Sequence, residues 1–168
     1  MTPLFGPARL DEIDALRAIE RASAARFIGL MDDLADDEPT PATVLSARIA
    51  AGGLLTARLT QTLAAFVMFR PVEDSLYVEQ IDVLPQFAGQ RIGARLLDAV
   101  SDRAGAIALS ALTLSTFRDV PWNAPWYRRL GFVDIEDAAL TPGLLEIRQA
   151  HLARGLDESQ RTFMRRAL

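Results

Sequence analysis

The sequence contains no cysteine, which excludes disulfides, thiolate metal sites and a cysteine nucleophile. It contains no lysine either: all 18 basic residues are arginine. A Walker A loop needs its lysine for the phosphates, and a Schiff-base mechanism needs one for its carbonyl, so both are absent. The single histidine, His151, rules out a multi-histidine metal site and leaves no natural histidine-based triad; no metal is expected. Positive charge is not in excess. The formal net charge is −4, which argues against nucleic acid as the main partner. No apolar stretch approaches the ~20 residues that cross a bilayer. The amino end, MTPLFGPARLDEIDAL, lacks the basic-then-apolar order of a signal peptide. A cytoplasmic protein that does not enter a membrane is expected.

What is present is enough apolar sequence for a core. A chain of 168 residues fits one domain, residues 1–168, burying roughly 70% of its unfolded surface without staples. LDEIDALRAIERASAARF has apolar residues at helical spacing, and PATVLSARIAAGG reads as a second short helix with Pro41 near its start and Gly52–Gly53 at its end. The acidic run between them, MDDLADDEPTP, reads as a solvated loop. The period then changes. LLTARL, LAAFVMF and SLYVEQIDV are strand-like, the first two as a hairpin and the third continuing a meander. Helical spacing returns in RIGARLLDAVSDRAGA, where Ile92, Leu96 and Val100 form one stripe. ALSALTLSTF follows as a strand, and a helix before it implies a crossover to a parallel place beside SLYVEQIDV. NAPWYRRLGF is a short helix ending at Gly131, FVDIED a strand, TPGLLEIRQAHLARG a helix carrying His151 as a packing or surface residue, and RTFMRRAL a last strand. That strand is also a candidate for pairing across a homodimer. The class is α/β, with one sheet covered by helices on both faces.

Two stretches carry chemistry. In PQFAGQRIGARLL a strand ends, Gly89 and Gly93 bracket a polar turn, and a helix begins. A helix N-terminus offers unpaired N–H groups and partial positive charge, and glycine admits a phosphate to the backbone. Taken alone, the stretch fits either a pyrophosphate site or an ordinary strand-to-helix turn. The spacing is not that of a Rossmann fingerprint. The second stretch, TFRDVPWNAPWYRRLGF, places Asn123, Tyr127 and Gly131–Phe132 at fixed spacing downstream.

Together the two stretches resemble the GNAT superfamily of acyl-CoA-dependent N-acyltransferases. The first looks like their pyrophosphate loop, Q/R-x-x-G-x-G/A, and the second like their segment of Asn, Tyr and Gly-Phe. There are departures: the Q/R position falls on Ala88, and the first glycine of the motif falls on Arg91, whose side chain either reaches a phosphate or lies on the surface. The resemblance implies a GNAT-like, mainly antiparallel mixed sheet with a splayed parallel strand pair. It implies direct transfer of an acetyl group from acetyl-CoA to an amine, either a small molecule or an N-terminus. The cofactor would be held by the strand edge Ile81, Asp82 and Val83, by the loop residues Ala88, Gly89, Gln90, Arg91, Gly93 and Ala94, and by Asn123, which is also placed to cap its helix. The Val83 N–H would meet the thioester oxygen.

By the same resemblance Tyr127 is the general acid, with a packed core tyrosine as the competing reading. Glu79 is the general-base candidate, since alternation puts Tyr77, Glu79, Ile81 and Val83 on one face of the strand; it either takes a proton or only orients the acceptor. Arg118 and Asp119, at the end of ALSALTLSTF, are candidates for an acceptor's carboxylate and ammonium, or for pairing with each other. Trp122 and Trp126 wall a pocket or pack in the core. A non-catalytic acyl-CoA-binding domain and an enzyme for a larger acyl group are the alternatives.

Overall fold

The computed structural model describes residues 2–168. Seven strands form one mixed sheet in the order β1-β2-β3-β4-β5-β7-β6. The strands are β1 (Leu4–Pro7), β2 (Leu54–Leu59), β3 (Thr62–Val72), β4 (Ser75–Val83), β5 (Ala111–Phe117), β6 (Val133–Asp134) and β7 (Arg161–Ala167). The helices are α1 (Ile13–Ala24), α2 (Asp32–Ala35), α3 (Ala42–Ala50), α4 (Ile92–Ala106), α5 (Ala124–Arg129) and α6 (Pro142–Ala153). The chain divides into two compact units. One runs to Phe69 and takes in Gln80–Ala99; the other is Arg70–Glu79 with Val100–Leu168.

In the first unit β2 pairs antiparallel with β1 and with β3, with a register shift between Ala57 and Arg58. Leu16 and Ile19 of α1, Leu45 of α3, Leu54, Phe66 and Met68 share one core. This is the helical stripe expected of LDEIDALRAIE, buried against every second residue of the hairpin. Polar groups tie the same elements together. Glu20 of α1 accepts from the Thr40 N–H (3.0 Å), Arg17 Nε donates to the Thr40 carbonyl (3.1 Å), and the Thr40 hydroxyl meets Gln80 Oε1 at 2.9 Å. Glu12 is buried, takes the Arg9 N–H at 2.8 Å and pairs with Arg58.

In the second unit β4 and β5 are parallel, in register from Ser75↔Ala111 to Val78↔Leu114, so the predicted crossover is found. β7 runs antiparallel to β5 along its whole length, from Ala111↔Ala167 to Phe117↔Arg161, and carries β6 on its other edge. RTFMRRAL is therefore an interior strand, with Thr162, Phe163 and Met164 buried. β5 covers one of its edges along the whole strand, and β6 pairs with the other at Met164 and Arg165. Val72, Tyr77, Leu140, Leu144, Ile147 and Phe163 form the core beneath α6.

Three elements differ from the sequence reading. β1 was not expected: it has four residues, includes Gly6 and Pro7, and has one sheet neighbour. The acidic run holds a single helical turn, α2, rather than loop throughout. FVDIED yields only the two-residue β6.

Candidate functional site

The turn into α4 is built on left-handed backbone. Gly89 has φ +77° and Arg91 has φ +60°. A Cβ built on Gly89 would meet nothing within 4 Å, so that side of the turn is open. Arg91 is the last residue before the 15-residue α4 and lies outside it. Its carbonyl accepts the Arg95 N–H at 3.1 Å. Among the described residues its guanidinium has no hydrogen-bond or ion-pair partner. Ala88, Gly89 and Gln90 are exposed, whereas Gly93 and Ala94 are buried. The latter two are thus packing residues of the first helical turn, able to offer a ligand only backbone N–H groups. The geometry, alternating left-handed residues before a long helix, is one that gathers N–H donors for an anion.

The strand edge is half-buried at Ile81, Asp82 and Val83. The Asp82 side chain does not face outward to a ligand. Its Oδ2 accepts from Gln80 Nε2 at 2.7 Å, and Ser23 of α1 also bonds to it. Burial pushes its carboxyl up to about 6, against the bonds from Ser23 and Gln80 that favour the charged form. The Val83 carbonyl accepts from Arg26 Nη2 at 3.4 Å.

In the second unit Tyr127 is 6% exposed and clamped by a helix ending. Gly131, at φ +89°, closes α5. The Gly131 N–H donates to the Arg128 carbonyl (3.1 Å) and the Phe132 N–H to the Tyr127 carbonyl (3.1 Å). This is a Schellman ending, and it brings the side chains at its two ends together. The Phe132 ring meets the Tyr127 ring edge-on at 5.5 Å, and Trp126 meets it at 4.9 Å. The spacing of tyrosine and Gly-Phe therefore has a local cause: it holds one phenol ring in one orientation.

Asn123 stands at the N-cap position of α5, but its side chain makes no cap bond. A capping oxygen bonds the N–H of the second or third helical residue. Here the second is Pro125, which has none, and the third, Trp126, donates to Asn123's own carbonyl at 2.8 Å. Asn123 Oδ1 is left buried without a partner among the described residues, while Nδ2 reaches the Trp122 carbonyl at 3.4 Å. A buried unpaired acceptor costs ~1–3 kcal/mol. It fits a ligand that brings a donor, as the amides of a pantetheine arm would.

Glu79 is not isolated on its strand. Its Oε1 accepts from Arg70 Nε of β3 at 2.9 Å, and Arg70 lies over the Tyr77 ring at 5.8 Å. Tyr77 is 5% exposed, and burial pushes its hydroxyl up to about 12. Among the described residues Arg118 and Asp119 share no hydrogen bond or ion pair; Arg118 Nη2 donates to the Arg161 carbonyl at 2.6 Å. His151 is a packing residue: Nδ1 meets Glu158 Oε1 at 2.7 Å, and its ring stacks on Phe163 at 6.2 Å. Burial, with the nearby Arg161 charge, holds its pKa below the usual histidine value. Arg161 and Glu158 went unremarked in the sequence, since nothing in RTFMRRAL distinguishes its first arginine from the others.

Among the described residues no group of three or more His, Asp or Glu is arranged to hold a metal ion. Nor is any helix long and apolar enough to cross a membrane.

A family model described as the acetyltransferase (GNAT) family matches residues 16–132. Among solved structures, the chain is similar to the Paia N-acetyltransferase of Thermoplasma acidophilum in complex with coenzyme A, at 15% identity over 100% of both chains and a TM-score of 0.74. It is similar to N-acetylglutamate synthase from Neisseria gonorrhoeae complexed with coenzyme A and N-acetyl-glutamate, at 18% identity, covering 100% of this chain and 35% of that one, with a TM-score of 0.77. It is also similar to the ribosomal-protein-S18-alanine N-acetyltransferase from Escherichia coli, at 16% identity over 99% of this chain and 94% of that one, with a TM-score of 0.66. At these identities the likeness is one of fold.

Proposed function

Because the chain belongs to the acetyltransferase (GNAT) family, we propose that it is an acetyl-CoA-dependent N-acetyltransferase acting on an amine by direct transfer. The observation that carries this reading is the left-handed turn at Gly89 and Arg91 opening α4 in a chain of that family. When bound, acetyl-CoA supplies a thioester activated toward amines. The residues of this chain do the rest. Backbone N–H groups of residues 89–94 and the Arg91 guanidinium hold the diphosphate. The edge Ile81–Val83 pairs with the pantetheine arm as an added strand would, and the Val83 N–H stabilises charge on the carbonyl oxygen. In the second unit, the buried Asn123 Oδ1 is left to accept a donor from the cofactor.

In the transfer, the amine nitrogen forms a bond to the carbonyl carbon and the carbon–sulfur bond breaks. Glu79, oriented by Arg70, receives the proton that the nitrogen loses. Tyr127 gives its phenolic proton to the leaving sulfur. A phenol near pKa ~10 and a thiol near ~8.5 differ by little enough that such a transfer is only mildly uphill. The amine sets the demand on the base. An α-amino group (~7.7–8.0) is about a tenth neutral at pH 7, whereas a lysine-like amine (~10.4) is neutral about one part in 2,500.

The test is release of free thiol from acetyl-CoA with a panel of amines, alongside calorimetry with coenzyme A. Tyr127→Phe should lower kcat ~10²–10⁴-fold, the range of general acid catalysis, and leave coenzyme A affinity within about twofold. Unchanged turnover in Tyr127→Phe removes Tyr127 from the mechanism. Coenzyme A binding without thiol release from any amine turns the reading into a binding domain, which the departures at Ala88 and Arg91 would then explain.

A further inference from the structure

We propose that Arg161, with Arg118 beside it, binds a carboxylate on the acceptor, so that the substrate is an amino acid or a molecule carrying its acid group rather than a plain amine. This rests on the acetyltransferase reading above and narrows it. All the residues concerned lie in the second unit.

Arg161 begins β7, opposite Phe117 at the end of β5. Its side chain is 14% exposed and its guanidinium lies over the Phe117 ring at 4.8 Å. The bonds it makes go to the two neutral oxygens of one residue: Nε donates to Ser115 Oγ and Nη2 to the Ser115 carbonyl, each at 3.1 Å. The nearest carboxylate oxygen, Glu158 Oε1, is 3.7 Å from Nε, too long for a hydrogen bond. That same oxygen is 2.7 Å from His151 Nδ1, and the other oxygen faces Arg148 Nε at 3.8 Å. Nη1 has no hydrogen-bond partner among the described residues. A buried cation is costly unless an anion is bonded to it, and here burial holds the Arg161 pKa below its ordinary value.

Arg118, just past the end of β5, is a second cation on the neighbouring strand, and its Nη2 donates to the Arg161 backbone carbonyl at 2.6 Å. Glu158 gives the Arg161 guanidinium a charge partner at 3.7 Å but no hydrogen bond. An acceptor carboxylate supplies that bond, because the guanidinium fork matches its two oxygens. The place suits the reaction, since Arg161 pairs with the end of β5, the strand that lies parallel beside the Tyr77 stretch of β4. Tyr77 is two residues from Glu79 on the same strand face.

The experiment measures thiol release with L-amino acids, their carboxamides and the corresponding decarboxylated amines, in wild type, Arg161→Gln, Arg161→Lys and Ser115→Ala. Wild type is expected to favour acid over amide by roughly 10- to 100-fold in kcat/KM, the worth of a charged hydrogen-bonded pair. Arg161→Gln should bring that ratio to about one, mainly through KM. Arg161→Lys should fall between, and Ser115→Ala, which keeps the charge, should retain the preference. If Arg161→Gln does not fold, Arg161→Lys and Arg118→Gln report the same ratio. Equal use of acids and amides by wild type, or a preference that survives Arg161→Gln, overturns the proposal and leaves the acetyltransferase reading standing. If coenzyme A binds but no amine is acetylated, NMR titration of the coenzyme A complex with N-acetyl amino acids and N-acetyl amino amides reads the same acid-to-amide ratio as an affinity. Equal affinities there overturn it too.

Discussion

Replacing Arg91 by glycine sets two effects of opposite sign against each other. Arg91 sits at φ +60°, where an L-residue other than glycine gives up ~1–2 kcal/mol. Glycine removes that strain, but it also frees the unfolded chain, which costs ~0.4–1 kcal/mol. The guanidinium has no polar partner among the described residues, so deleting it takes nothing further from the fold. The balance is a variant equal to wild type or more stable by up to about 1.5 kcal/mol. Coenzyme A affinity should move the other way. If the guanidinium bonds a phosphate, its loss costs ~1.5–3 kcal/mol, a Kd raised roughly 10- to 150-fold. Urea denaturation of the free protein reads the first quantity, and calorimetry with coenzyme A at low and high salt reads the second. The wild-type affinity should fall more steeply with salt than that of Arg91→Gly, because one charged contact is gone. Arg91→Gly binding coenzyme A as tightly as wild type would refute the assignment. The arginine would then be a strained stand-in for glycine whose side chain touches nothing.

Gly131→Ala tests the clamp on Tyr127. The nearest atom to the added Cβ is Arg166 Cδ at 3.7 Å, an ordinary contact, so the penalty is the φ of +89° alone. A net loss of ~0.5–1.5 kcal/mol in urea midpoint analysis is expected, with kcat falling more than coenzyme A affinity; an unaltered kcat would separate the helix ending from the placement of the phenol. Asp82→Asn tests the buried carboxyl. Its folded pKa of about 6 lies above the reference 3.8, so the native state holds the proton more tightly, and wild-type stability should fall as pH rises from about 4 to about 6. The variant should therefore gain on wild type at pH 7.5 relative to pH 4, by up to about 3 kcal/mol; a difference between the two proteins that is flat with pH would show that Asp82 is ionised in the fold as it is outside it.

The parts of the fold that were legible are those whose cause is local. SLYVEQIDV alternates and is β4 to the residue. Gly52, Gly131 and Gly155 mark helix ends because each is the left-handed residue after its helix. α4 ends in the same way, but on Ala108 at φ +58°, and no glycine announces it. The Ala108 N–H donates to the Gly105 carbonyl (3.1 Å) and the Leu109 N–H to the Ala104 carbonyl (2.9 Å). The tertiary structure imposes there what the sequence elsewhere requests. β1 was illegible for the converse reason. Four residues with glycine and proline have little strand preference of their own, and the β2 edge they pair with supplies the order.

The candidate site divides along the same line. The family resemblance singled out Tyr127, and the Gly-Phe ending that packs against its ring lies within five residues of it. Glu79 was half legible. Alternation gave its face, but Arg70, its ion-pair partner, is reached only once the β3–β4 hairpin closes and sets Arg70 Nε on Oε1 at 2.9 Å. Arg161 was not legible at all. Its character comes from the insertion of β7 between β5 and β6, which takes one of three arginines in RTFMRRAL out of solvent and sets it over Phe117, while Arg165 of the same strand reaches Asp74 at the surface and holds that carboxyl down at about 2. Like residue types on one short strand thus acquire opposite physical roles. Arg165 has a bonded carboxylate in Asp74, whereas Arg161 has its ion-pair partner Glu158 at 3.7 Å and bonds neutral oxygens of Ser115, and a fork left so is what the proposed carboxylate-bearing acceptor would recognise.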